Sequence, residues 1–207
     1  MADRVSVPYR NLHVIPDSIP DREAVFLEPL AAAFRIAEQV ELGPDTNVAV
    51  LGDGKLGLLC TCVIRNSGAN VTLIGRHPAK LALAGDGVAT RLLDDSHGQD
   101  RSFDVVADCT GNASGLETAF RLVRPCGTVV LKTTIAGEHR LSLAPIVIDE
   151  IRVVGSRCGP FAPAIAALAS RAIDVRPLIG GEYPLDEAEA AFQEASKRGA
   201  SKILLRV

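Results

Sequence analysis

The chain has 207 residues, 47% hydrophobic and 23% charged, a balance that can bury enough apolar surface to offset the ordering entropy and so excludes a disordered chain. Its 22 basic and 25 acidic residues leave a net charge of −3, and aromatics are 4% with no Trp. These figures argue against a nucleic-acid binder that tracks phosphates or stacks bases.

Five scattered cysteines (Cys60, Cys62, Cys109, Cys126, Cys158) form neither a disulfide framework nor a metal knuckle, which points to a reducing compartment. The start, MADRVSVPYRNLHVIPDS, has no signal-type apolar core, and no apolar run reaches the ~18 residues of a membrane span. The expectation is a soluble, cytoplasmic protein with no membrane partner.

Residues 1–20 read as an extended lead-in, because Pro8, Pro16 and Pro20 push their preceding residues out of the helical region. From Asp21, apolar residues recur at helical spacing through Ala37, with Pro29 expected to kink or divide the helix and Gly43-Pro44 to stop it. Candidate strands follow at Val48–Leu51, Val71–Ile74, Phe103–Ala107, Thr128–Leu131 and Val153–Gly155, with a short further piece near 88–93. Helix candidates at 55–67, 77–84, 113–123 and 144–149 separate them. Apolar strands alternating with helices predict an α/β fold, a doubly wound parallel sheet covered on both faces. The tail reads as a helix at 163–172, a strand at 179–184, a helix at 186–198 and a last strand, Ile203–Val207. The expected organisation is a lead-in (1–20), a dinucleotide-binding domain (21–158) and a C-terminal return segment (159–207).

Val48–Leu51 runs into Gly52-Asp53-Gly54-Lys55-Leu56-Gly57 and then an apolar helix. This is the G-x-G-x-x-G fingerprint between strand and helix. Gly52 serves the tight turn, Gly54 the approach of a pyrophosphate to the backbone, and Gly57 the packing of helix on strand. The helix N-terminus then offers N–H groups and partial positive charge to the phosphates. The alternative is a glycine turn serving helix packing alone. Asp53 is awkward beside a pyrophosphate: either Lys55 offsets its charge or it points into solvent.

In NAD-binding folds an acid near the end of the second strand accepts the ribose hydroxyls. That position falls at about Gly75, followed by Arg76 and, four residues on, Lys80. Loss of the acid removes repulsion of a 2′-phosphate, and a guanidinium can grip it bidentately. The expected cofactor is therefore NADP, with NAD as the second choice. Arg76 and Lys80 as solvated residues at a helix start are the competing reading.

With their flanks, these residues resemble the medium-chain dehydrogenase/reductase family, the zinc-type alcohol and polyol dehydrogenases. The resemblance runs from about Tyr9 to Val207 through NLHVIPDSIPDREAVFLEPLAAAF, VAVLGDGKLGLL, FDVVADCTG, LVRPCGTVVLKTT, IRVVGSR and DVRPLIGGEYPLDEAEAAF. It implies a Rossmann fold. It also implies that Thr110 and Gly111 lie near the cofactor and that Lys132, Thr133 and Thr134 approach its nicotinamide.

In that family a preceding barrel-like domain supplies a Cys and a Gly-His-Glu segment to a catalytic zinc. Neither occurs in these residues. Glu28 matches a position that ligates or neighbours the zinc in polyol-type members, but one carboxylate cannot satisfy an ion that takes about four ligands. His13, His77, His97 and His139 have no ligand spacing and read as surface residues. Cys60 and Cys62 read as packing residues.

The resemblance implies an oxidoreductase moving hydride between NAD(P) and a small alcohol, polyol or carbonyl substrate, with this chain as its cofactor-binding part. The alternative is a non-catalytic NADP(H)-binding module or a subunit of a split enzyme. A short-chain reductase is excluded by the want of a Tyr-x-x-x-Lys pair, since Tyr9 leads to His13 and Tyr183 to Glu187. In the family the tail folds onto the barrel-like domain, so the apolar faces around Phe161, Ile179, Phe192 and Leu204 require other cover. A homo-oligomer, with edge pairing through Ile151–Gly155, or a rearranged tail would provide it.

Overall fold

The computed structural model describes residues 4–96, 100–135, 140–197 and 199–206. Its contacts divide the chain into two units, Pro29–Pro160 on the one hand and Met1–Glu28 with Phe161–Val207 on the other.

Short helix α1 (Asp21–Ala24) precedes α2 (Leu27–Gln39). The break between them falls at Val25 and Phe26, ahead of Pro29. Pro29 is the third residue of α2, in the first turn, where a missing N–H costs no intrahelical bond. The helical run is thus divided, as the sequence pattern leads one to expect, with the break a turn ahead of Pro29, which helps to start the second helix. The helix also ends before Gly43-Pro44, which lie in the following turn.

The larger unit then alternates strand and helix: β1 (Asn47–Leu51), α3 (Lys55–Asn66), β2 (Asn70–Gly75), α4 (Pro78–Leu81), β3 (Ala89–Leu92), β4 (Phe103–Asp108), α5 (Ala113–Leu122), β5 (Val123–Leu131), α6 (Ala144–Ile148) and β6 (Arg152–Gly155). The six strands form one sheet in the order β3-β2-β1-β4-β5-β6, every pair parallel. This is the doubly wound α/β fold.

Val48, Ala49, Val50 and Leu51 are all buried, as a strand covered on both faces requires, and the same cause makes the run continuously apolar. Ala49, Leu51, Ile74, Val106 and Val129 join Phe103, Phe120 and Leu122 in one core cluster. β3, by contrast, is short and largely exposed at the sheet edge, a composition that discourages pairing with another chain. β5 is longer than its apolar stretch alone indicated, because a register shift against β4 lets Pro125 and Gly127 sit within it.

In the smaller unit, α7 (Phe161–Ala169), β7 (Ile179–Pro184), α8 (Ala188–Ser196) and β8 (Lys202–Arg206) follow in order, with β7 and β8 paired in parallel. The lead-in packs on this tail. His13 stacks on Phe161 with ring centroids 4.6 Å apart. The Lys202 ammonium stands 5.3 Å from the Phe26 ring centre, and buried Glu23 pairs with Arg171. Leu204 is buried and Phe161 and Ile179 are half-buried, so of the four apolar positions Phe192 is the exposed one, at 60%. Among the described residues no helix is long and apolar enough to cross a membrane. His97, His139 and Val207 lie outside the described residues.

Candidate cofactor-binding site

The strand order reverses between β1 and β4, and in open parallel sheets the crevice beyond the strand ends at such a switch point receives ligands. A cleft of about 250 Å³ opens there. Its walls come from Gly52, Asp53 and Gly54 after β1, Gly75, Arg76 and His77 after β2, and Cys109 and Thr110 after β4, with Asn112, Ser114, Gly115 and Thr118 from the start of α5.

The glycine turn is built by close approach. Gly52 has φ +105°, and a Cβ there would lie 2.7 Å from the Cys109 carbonyl oxygen. At Gly57 a Cβ would lie 1.9 Å from the Gly52 oxygen, so α3 can start against the turn only without a side chain at that position. Gly54 has open space instead, with nothing within 4 Å of its would-be Cβ, and no side chain caps α3. An uncapped helix start facing open space is where the physics of helix ends places an anion. Lys55 is exposed and Leu56 half-buried at the first two positions of α3.

Asp53 does not face solvent. It is buried, 7% exposed, and lies over the end of β2. Its Oδ2 accepts the backbone N–H groups of Arg76 and His77, each at 2.7 Å. His77 Nδ1 lies 3.1 Å from both carboxylate oxygens, so His77 is a half-buried partner rather than a plain surface residue. Burial pushes the Asp53 carboxyl upward, but the His77 ring and the two backbone amides outweigh it and hold the group below its ordinary value. Arg76 itself is exposed at the cleft, while Lys80, half-buried on α4, is not among the lining residues.

The other implied residues divide between cleft and interior. Thr110 is at the wall, its N–H and hydroxyl both bonded to Asp108 Oδ1. Gly111 donates its N–H to Thr133 Oγ1 at 3.0 Å, clipping the β4 exit to the β5 exit. Thr133 is half-buried and Thr134 exposed. Lys132 is buried, its ammonium donating to the Ala32 carbonyl at 2.5 Å, the Arg157 carbonyl at 3.1 Å and Ser156 Oγ at 3.2 Å.

Behind the wall, the Cys109 thiol is pushed well above its ordinary value by its bond to Cys60, by burial and by nearby Asp108, with Lys132 opposing. Cys60 is fully buried and Cys62 half-buried on α3. Glu28 is exposed in the first turn of α2, and among the described residues no three His, Cys, Asp or Glu side chains are placed to share a metal ion. The described residues do not fit a zinc centre.

A parallel sheet in this order with a glycine turn at its switch point defines a dinucleotide-binding domain of the Rossmann class. Residues 56–172, more than half of the chain, match the zinc-binding dehydrogenase family. The chain belongs to that family, the medium-chain dehydrogenase/reductases. D-xylulose reductase A of Aspergillus oryzae is 28% identical over 209 residues, covering 92% of this chain and 58% of that protein. L-idonate 5-dehydrogenase of Vitis vinifera is 29% identical over 222 residues, covering 98% and 60%. A zinc-binding dehydrogenase from Sinorhizobium meliloti, solved bound to NADP, superposes with a TM-score of 0.86 at 28% identity, covering 97% of this chain and 64% of that one. The chain thus spans about 58–60% of the length of these two curated relatives.

Proposed function

We propose that this chain is the cofactor-binding part of an oxidoreductase that moves hydride between a nicotinamide dinucleotide and a small alcohol, polyol or carbonyl compound. The observation that supports it most is the uncapped start of α3, opening beside Gly54 into the cleft at the switch point. When bound, the nicotinamide supplies the hydride chemistry. The chain seats and orients it: Gly52, Gly54, Lys55, Leu56 and Gly57 form the pyrophosphate cradle, and Gly75, Arg76 and Lys80 the ribose corner. Thr110 and Gly111, with Lys132, Thr133 and Thr134, flank the nicotinamide end. Lys132 takes part there through its main chain, because its ammonium is spent on Ala32, Ser156 and Arg157.

NADP is the favoured cofactor in this reading. Arg76 is exposed at the cleft wall, suited to a bidentate grip on a 2′-phosphate, and the Sinorhizobium relative is bound to NADP. The chain by itself turns over no alcohol in this reading, since Glu28 is the single residue matched to the zinc position. The second reading, a non-catalytic NADP(H)-binding module or a subunit of a split enzyme, draws on that same want of metal ligands among the described residues. Self-association fits edge strand β6, where Val153 is 38% exposed and Val147 and Ile148 on α6 are 78% and 77% exposed.

The test is a titration of the 207-residue chain with NADPH and, separately, NADH, followed by cofactor fluorescence. NADPH should bind more tightly, and Arg76→Ala should weaken it about tenfold. Binding of neither cofactor would overturn the proposal, and turnover of any alcohol by this chain with added zinc would overturn the non-catalytic reading.

A further inference from the structure

Asp53 stands second in the glycine turn, where a carboxylate beside a pyrophosphate is unfavourable, yet its side chain turns away over the end of β2. A Cβ on Gly75 would lie 2.5 Å from Asp53 Oδ2 and 2.6 Å from its Cγ. That is about the distance separating an aspartate's Cβ from its own carboxylate oxygens. Asp53 therefore fills the space that an acidic side chain at position 75 would itself occupy.

The bonds correspond as well. An aspartate at 75 would accept the N–H two residues on, as such residues do in turns. Asp53 accepts that very N–H, from His77, together with that of Arg76. The exchange explains both anomalies of the sequence at once, an acid in the turn and a glycine at the strand end, because neither position tolerates a side chain when the other carries one.

Residual capacity decides what such a carboxylate can do. An ionised carboxylate has about four acceptor positions; the Arg76 and His77 amides and the His77 ring use three. The residue lines the cleft, and a hydroxyl donor arriving there would complete the set. We infer that Asp53 is the ribose-reading carboxylate of this chain, supplied by the glycine turn across the cleft instead of by the end of β2. It accepts the 2′-hydroxyl of an unphosphorylated adenosine ribose, while Arg76 serves a 2′-phosphate. One corner thus carries two separate handles, and the site takes NAD(H) as well as NADP(H). This inference rests on the cofactor reading above and adds the residue that sets its selectivity.

The experiment measures NADH and NADPH dissociation constants by cofactor fluorescence for the wild type, Asp53→Ala, Asp53→Asn and the double variant Asp53→Gly/Gly75→Asp, in which glycine at 53 removes the Cβ that would stand 2.6 Å from a Cβ at 75. Circular dichroism checks the fold of each, and Asp53→Asn serves if the alanine variant does not fold. Loss of the carboxylate should weaken NADH about tenfold, as expected for a charge-assisted bond, and leave NADPH unchanged or tighter. Returning the acid to position 75 in the double variant should restore NADH. A parallel fall for both cofactors that Gly75→Asp does not repair would overturn the inference and leave Asp53 as a lock on the turn. A wild type that binds neither cofactor would instead overturn the cofactor reading itself.

Discussion

The ends of β2 and β5 each carry a buried charge, and the two are used in opposite ways. At the β2 end the carboxylate of Asp53 comes from another segment, is held by Arg76 and His77, and lines the cleft. At the β5 end Lys132 belongs to the strand exit itself, yet its ammonium reaches past the cleft to Ala32 on α2 and to Ser156 and Arg157 beyond β6. A charged residue at a strand end is therefore no guide to what the cleft presents. What counts is which neighbour satisfies it: an ammonium with three internal acceptors is committed to the fold, whereas a carboxylate with a spare acceptor position remains open to a ligand.

Removing Lys132 gives the largest expected effect on that contrast. Lys132→Ala deletes a buried four-carbon stem and leaves three acceptors without their donor, so thermal or urea unfolding should show a loss of about 3 kcal/mol. A loss below about 1 kcal/mol, the range of exposed positions, would place the ammonium in the cleft after all.

A smaller effect belongs to Asp53 and appears in acid. Its carboxyl is held below its ordinary value in the folded chain, so its stabilising contribution is complete above the ordinary Asp value of about 3.9 and is lost as pH falls through the lowered one. Asp104 and Asp174 are lowered too, so the wild type should lose stability steeply below about pH 4, and Asp53→Asn should show a shallower decline. Melting temperatures from pH 7 to pH 2.5 would show it. Identical slopes for the two proteins would contradict the hydrogen bonds drawn around Asp53.

Much of this was legible in the sequence for a definite physical reason. Strands buried on both faces must be apolar throughout, and a glycine turn between strand and helix obeys local steric rules, so β1, the turn and α3 could be read within a window of twenty residues. The same holds for the tail from α7 to β8, where helical and strand periods alternate.

Relations between distant positions were not legible. Asp53 and Gly75 share one space across 22 positions, and no local pattern couples them. The available signal was the coincidence of two misfits, an acid in the turn and a glycine at the strand end, each read separately as a local feature. Lys132 was out of reach for the same reason, because its acceptors lie 100, 24 and 25 residues away. At Pro29 the division of the helical run was legible but its place was not: the break lies three residues ahead of the proline, and helix ends are the least determined part of a periodic pattern.

In the proposed function a nicotinamide dinucleotide sits at the switch point between β1 and β4. Amide chemical-shift mapping of the ¹⁵N-labelled chain on addition of NADPH tests it most directly. The expected shifts concentrate at Gly52–Gly57, Gly75–His77 and Thr110–Gly111, with the β7–β8 pair unmoved. Shifts confined to other parts of the chain, or none at saturating NADPH, would contradict it.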